Sequence, residues 1–183
     1  MPLIKVKRQD VLRRREIEAT IKEMRPDMQA LTALLWAYGK RISENLAIKR
    51  GEIFVANGFL NVRFHVLKKR VKTTDTYLKR VSVKHPSIKY ILPYLEGGDM
   101  LEVNPDDKIF PRLTRELAAY YLKKANPNAY THLFRKSLAT EFSEHGYSVQ
   151  QLMAWFDWER ADVAIGYVNR SAALTKEMSE RTF

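Results

Sequence analysis

A run of residues that is apolar on nearly every side, at positions 28–39, constrains the fold more than any other part of the chain. Its large side chains are Leu31, Leu34, Leu35, Trp36 and Tyr38. A helix that is hydrophobic all round has to be buried on all sides. The run therefore predicts a central helix with the other elements packed around it. Asp27 is predicted to cap this helix, Pro26 to close the preceding one, and Gly39 to turn the chain afterwards.

The remaining pattern combines helices with one short β region. Helical periodicity predicts further helices over residues 11–24, 88–95, 113–124, 131–145 and 149–156, with short ones starting at Ser43 and at Ala161 or Asp162. Alternating residues around the turn signal Asn57-Gly58 predict a hairpin over residues 53–67, and residues 77–83 add a third strand. The predicted fold is mainly α with a small antiparallel β-sheet (α+β).

The charge balance indicates an anionic partner. The 183 residues include 32 Lys and Arg against 21 Asp and Glu, a net charge of +11, and nucleic acid is the leading candidate for such a surface. A basic surface that only keeps the protein in solution is the alternative. The chain has no cysteine, and its four histidines lack ligand spacing. We therefore expect no disulfide, no metal site and no cofactor.

Length and hydropathy indicate one cytoplasmic domain. No apolar run approaches the about 20 residues of a membrane span, and no signal peptide follows the first methionine, so we expect no membrane partner. Residues 1–10 are predicted to be a basic N-terminal arm, and residues 11–183 a single domain.

Four elements of the chain carry residues that suit phosphate chemistry. His132 and Arg135 stand at positions i and i+3, so on a helix both project from one face, and we expect neither to be needed for folding. Upstream lies a Gly-x-Arg-x-Ser-Glu box that contains Arg41. Downstream lie Trp158 and then Tyr167. Taken singly, each of these residues is ordinary, since Arg41 alone would be a surface arginine and Tyr167 alone a packing residue.

Taken in order, the series resembles the tyrosine recombinases, which include the phage integrases and the Xer-type resolvases. In that family an arginine box precedes a His-x-x-Arg pair, a His or Trp, and the tyrosine that attacks DNA. The resemblance covers about residues 12–175 and implies the catalytic-domain (DNA breaking-rejoining) fold. The chain departs from the usual Leu-Gly-His, having Phe156-Asp157-Trp158 in its place.

The resemblance implies a role for each of these residues. Tyr167 would be the nucleophile, and Arg41 and Arg135 would bind the non-bridging phosphate oxygens with planar forks that lysine does not have. His132 would relay a proton or bind the phosphate, and Trp158 would pack the tyrosine helix. Lys68 would protonate the leaving 5′ oxygen, with Lys69 and Lys72 as alternatives. The residues expected to bind DNA are Lys69, Arg70, Lys72 and Lys136.

The implied function is site-specific recombination. Duplex DNA would be cleaved through a 3′-phosphotyrosyl intermediate and rejoined without metal or ATP, by a homo-oligomer of two to four copies on the DNA. A prokaryotic or archaeal cell, including its viruses and plasmids, is the implied source. Two alternatives stay open, a DNA-binding regulator that does not cleave and a type IB topoisomerase-like relaxing enzyme. The family's N-terminal core-binding domain is expected to be absent, as in an excised fragment or a Fim-switch-like short form.

Overall fold

The computed structural model of the protein describes residues 11–65, 76–97 and 104–169. Three strands form an antiparallel sheet in the order β1-β2-β3, with β1 at Ile53–Ala56, β2 at Phe59–His65 and β3 at Thr76–Ser82. The predicted α+β class is confirmed. The helices are α1 (Arg14–Lys22), α2 (Pro26–Tyr38), α3 (Ile42–Leu46), α4 (Ile88–Glu96), α5 (Arg115–Ala125), α6 (Thr131–Glu144), α7 (Val149–Phe156) and α8, which takes up residues 161–169.

Helix α2 lies at the centre of the fold, as its apolar run predicts. It packs against α1, α3, α4 and α6, and its residues from Ala30 to Tyr38 are all buried. The Tyr38 hydroxyl donates to the Leu60 carbonyl at 2.7 Å, which ties the end of α2 to strand β2. Burial of each large apolar side chain along α2 contributes about 1.5–3 kcal/mol to folding.

The predicted cap of helix α2 is wrong. Helix α2 begins at Pro26 with Arg25 in the capping position, so Asp27 lies in the first turn rather than before it. Proline suits the first helical position because its fixed φ is already helical and the N–H that it lacks has no partner there. Helix α3 begins at Ile42 with Arg41 as its cap, one residue before the predicted start at Ser43.

The hairpin forms with the predicted turn. Ala56 pairs with Phe59, and the two turn residues have positive φ values, 52° at Asn57 and 77° at Gly58. Both residue types tolerate this conformation at low cost, which suits a tight two-residue hairpin turn. Strand β2 turns Leu60, Val62 and Phe64 into the core. The sheet therefore packs one face against the central helix.

Gly39 joins the end of α2 to the C-terminal helices at very close range. Its φ is 61°, and a Cβ atom built there would stand 2.6 Å from a ring carbon of Phe156. Glycine is required at this point both by the left-handed backbone and by the approach of α7. Phe156 belongs to a second small core that α6, α7 and α8 share, formed by Leu138, Ala139, Leu152, Phe156 and Ala164.

Several predictions fall on residues outside the described ranges, among them the arm at residues 1–10 and the candidates Lys68, Lys69, Arg70 and Lys72. Within the described ranges, none of the helices is long and apolar enough to cross a membrane. The same residues contain no group of three or more His, Asp or Glu side chains that would hold a metal ion.

Candidate active site

Arg41 is held at the start of α3 by a buried carboxylate. Glu44, only 4% exposed, accepts the Arg41 backbone N–H at 2.8 Å and Arg41 Nη1 at 2.9 Å. The Arg41 side chain is itself 33% exposed. Among the described residues, Nη1 is the one guanidinium nitrogen with a hydrogen-bond partner, so the remaining donors of the fork are left for an anion. Glu44 thus orients the Arg41 guanidinium and uses only one of its nitrogens.

Arg135 is a buried cation at the meeting point of α2, α6 and α7. It is 3% exposed, and its Nη1 donates to the Gly39 carbonyl at 2.8 Å while Nη2 donates to the Phe156 carbonyl. Burial, together with the nearby charge of Arg41, lowers the pKa of Arg135 to about 10, so the group stays protonated at neutral pH. These two hydrogen bonds join separate chain segments, which argues against the expectation that Arg135 is not needed for folding.

Trp158 and Tyr167 form a ring stack that holds helix α8 in place. Their ring centroids are 5.4 Å apart with the planes inclined by 10°, and the Phe156 ring also stacks on Trp158, at 4.8 Å. The Arg135 guanidinium lies 5.6 Å from the Trp158 ring. An aromatic pair of this kind contributes about 0.5–1.5 kcal/mol beyond its buried area. Trp158 therefore connects the buried arginine to the tyrosine.

Two clefts meet at Arg41. The larger, which we name the Trp158 groove, encloses about 820 Å³, and the smaller, the His132 cleft, about 400 Å³. Arg41 lines both, so the two clefts lie on either side of this residue. The Trp158 groove is lined by residues that include Arg41, Glu44, Tyr77, Asp157, Trp158 and Arg160. The His132 cleft is lined by residues that include Arg41, Ser43, Arg115, Thr131 and His132.

The structure thus brings together five residues that are far apart in the sequence. Arg41 and Trp158 share the Trp158 groove, Arg41 and His132 share the His132 cleft, and ring contacts join Arg135 and Tyr167 to Trp158. The sequence profile of the phage integrase family matches residues 10–173. The chain belongs to the phage integrase family. The resemblance drawn from the motifs is confirmed.

Solved structures share the fold of this integrase-family chain. A XerH site-specific recombinase bound to difH in a pre-cleavage complex has a TM-score of 0.67 and 15% identity, covering 86% of this chain and 49% of its own. XerH bound to a palindromic difH in a post-cleavage complex has a TM-score of 0.71 and 15% identity, and the match covers 94% of this chain and 53% of the XerH chain. XerA recombinase has a TM-score of 0.70 and 14% identity, and the match covers 94% of this chain and 65% of the XerA chain. These likenesses confirm the tyrosine recombinase catalytic-domain fold.

The chain spans from about half to about two thirds of the length of those structures. Among curated proteins, none matches the sequence significantly.

The integrase site includes one arginine that the motifs did not predict. Arg115 is the first residue of α5, following the Thr114 cap, and its exposed side chain lines the His132 cleft beside Arg41. No spacing rule connects it to the other residues, since it begins a helix of ordinary composition. Lys136, predicted to bind DNA, donates to the Tyr130 hydroxyl at 3.3 Å, beside the start of α6.

Sequence analysis also missed a buried charge beside the integrase site. The Lys40 side chain is 0% exposed, and its Nζ donates to the Trp155 carbonyl at 2.7 Å and pairs with Asp157. Burial lowers the pKa of Lys40 to about 8, although the Asp157 carboxylate acts in the opposite direction. A lysine and an aspartate so far apart in the chain give no sequence signal that they will meet.

Proposed function

We propose that this chain is the catalytic domain of a site-specific DNA recombinase, spanning residues 11–183. It would cleave duplex DNA through a 3′-phosphotyrosyl intermediate and rejoin the strands without metal or ATP. The observation that carries the proposal is that Trp158, which lines the same groove as Arg41, has ring contacts with both Arg135 and Tyr167. Two cations and a hydroxyl nucleophile gathered around one tryptophan suit attack on a phosphodiester.

The chemistry follows from the groups present. The Tyr167 oxygen attacks the phosphorus and loses its proton, the bond to the 5′ oxygen breaks, and that oxygen leaves as a hydroxyl after protonation. Arg41 and Arg135 hold the negative charge that develops on the non-bridging oxygens. His132 takes the proton of Tyr167 or binds the phosphate. Because the phosphotyrosyl bond conserves the phosphodiester, a 5′ hydroxyl from a second strand reverses the step.

The proposed oligomer follows from the count of nucleophiles. Each chain supplies one Tyr167, so cleavage of both strands of one duplex requires two copies, and cleavage of the four strands of two duplexes requires four. We propose that two to four copies assemble on DNA.

Covalent trapping tests the proposed function. The protein is incubated with nicked duplexes from its host replicon, denatured in detergent, and examined for a protein–DNA adduct, and the trapped DNA is sequenced to give the site. We expect an adduct and, with two copies of the site, strand-exchanged products. Relaxation of supercoils without exchange would point to the topoisomerase-like alternative. DNA binding without any adduct would point to the regulator.

The proposed general acid is tested by a lysine series. Replacing Lys68, Lys69 and Lys72 singly by Ala should slow cleavage about 100-fold in one variant only, since general acid catalysis contributes about 10²–10⁴-fold. The control is a substrate with sulfur in place of the 5′ bridging oxygen, because a thiolate leaves without a proton. That substrate should restore the slow variant to the parent rate. Three active variants would place the acid on another residue.

Replacing Arg115 tests whether the DNA backbone runs through the His132 cleft. We propose that it binds a backbone phosphate in the His132 cleft, next to the one that Arg41 holds. Arg115→Ala should weaken DNA binding and lower the slope of log affinity against log salt by about 1. The cleavage rate at saturating DNA should stay at the parent value. Arg14→Ala, which removes an arginine paired with Glu18 on α1, is the matched control, and an equal effect in both would contradict the assignment.

A further inference from the structure

Three charged side chains from separate elements meet at the end of helix α7, and we call them the Lys40 cluster: Lys40, Lys79 and Asp157. Lys40 follows α2, Lys79 lies on β3, and Asp157 follows α7. Lys79 Nζ donates to the Ala154 carbonyl at 2.6 Å and stands 3.7 Å from the Asp157 carboxylate. Lys40 Nζ donates to the Trp155 carbonyl, so the two lysines donate to successive carbonyls in the last turn of α7. The cluster fixes where α7 ends.

Asp157 has an unfavourable backbone conformation, and the contacts of its side chain account for it. Its φ and ψ are 52° and 48°, in the left-handed region that glycine adopts far more readily. The carboxylate meets Lys40 and Lys79 from this position. The conformation also turns the chain so that the backbone N–H of Trp158 donates to the Met153 carbonyl at 3.1 Å. Asp157 thus supplies the negative charge beside the two lysines and also sets the direction in which the chain continues to Trp158.

A contribution to the stability of the fold does not explain why Lys40 is buried beside Asp157. Burial disfavours the charged form of Lys40 by more than Asp157 restores, which is why its pKa falls to about 8. Replacing a buried ion pair by apolar residues is commonly neutral or stabilising. Asp157 is 40% exposed and stays solvated without Lys40. A methionine of similar length at position 40 removes the desolvation cost of the ammonium but leaves the Trp155 carbonyl without its donor, so the two effects should largely offset each other.

We propose that the Lys40 cluster positions Trp158, and through its ring contacts Tyr167 and Arg135, for DNA cleavage; this rests on the proposed cleavage function. The three residues are positioning residues. The Lys40 side chain is wholly buried and has no access to DNA. Its effect passes through the Trp158 turn, whose ring lies 5.4 Å from the Tyr167 ring and 5.6 Å from the Arg135 guanidinium.

Three variants test the proposal: Lys40→Met, Asp157→Asn and the double variant. Single-turnover cleavage at saturating DNA should fall on the order of 10- to 100-fold in each, because small misplacements of reacting groups have effects of this size. The double variant should be no slower than the single ones, since the pair acts as a unit. Lys49→Met is the matched control, because Lys49 pairs with Asp106 on an exposed surface, and it should cleave at the parent rate.

Two further measurements separate positioning from folding. The melting temperature of Lys40→Met should stay close to that of the parent, while Asp157→Asn should melt lower because the buried Lys40 ammonium loses its charged partner. In hydrogen exchange without DNA, the Trp158 amide should exchange faster in all three variants than in the parent and in Lys49→Met.

The outcomes distinguish this proposal from the proposed function. Parent-like cleavage and unchanged protection of the Trp158 amide in Lys40→Met would overturn the positioning role and leave the recombinase function intact. A parent that forms no adduct would overturn the recombinase function, and the exchange of the Trp158 amide would still decide whether the cluster orders this turn. Loss of cleavage that only follows a lower melting temperature in Lys40→Met would also overturn the positioning role.

Discussion

Replacing Tyr167 by phenylalanine is expected to abolish the covalent protein–DNA adduct while leaving the fold and the DNA affinity unchanged. The variant loses the hydroxyl that attacks phosphorus but keeps the ring that stacks on Trp158 at 5.4 Å. Removal of one hydroxyl from a half-buried side chain should change the free energy of unfolding by less than about 1 kcal/mol. The adduct is measured after detergent denaturation of a reaction with nicked duplex, and affinity is measured at fixed salt.

Tyr147→Phe is the matched control for this experiment. Tyr147 is 44% exposed and contacts the Phe142 ring, outside the residues that line either cleft. It should form the adduct at the parent level. An adduct that persists in Tyr167→Phe would place the nucleophile on another side chain and sink the assignment of Tyr167.

The parts of the fold that local pattern determines were predictable from the sequence. Helix α2 follows from an apolar run that no exposed helix could carry, and the first hairpin follows from Asn57-Gly58 between alternating residues. Ser148 caps α7 by accepting the Gln151 backbone N–H, as its residue type favours. In each case, neighbouring residues carry both the signal and its structural consequence.

The parts that depend on contacts between distant segments were not predictable. The spacing of His132 and Arg135 placed both on one helix face, but it gave no sign that Arg135 would be buried against the Gly39 and Phe156 carbonyls. Lys40 and Asp157 likewise meet where α7 approaches the end of α2 closely at Gly39. For Arg41, Arg135, Trp158 and Tyr167, which the family resemblance grouped together, the structure adds contacts of each side chain.

The two arginines of the site are expected to differ when each is replaced by lysine. Arg41→Lys should cleave about 1,000-fold more slowly with almost parent stability, because lysine keeps a charge for Glu44 but loses the planar fork. Arg135→Lys should lose cleavage to a similar degree and also about 2–4 kcal/mol of stability. One ammonium does not reproduce the two guanidinium nitrogens that the Gly39 and Phe156 carbonyls accept, so a buried carbonyl is left without its partner.

Urea unfolding and single-turnover cleavage of the same preparations measure this contrast. Both variants should still bind DNA, with affinities within about tenfold of the parent, because many other cations share the backbone contacts. Arg14→Lys, on an exposed pair with Glu18, should match the parent in both measurements. Equal stability of the two site variants would show that the Arg135 hydrogen bonds contribute nothing to the fold, and Arg135 would then be free to turn entirely toward the phosphate. Parent-like cleavage by Arg41→Lys would mean that a point charge suffices at that position, and the argument from the planar fork would fail.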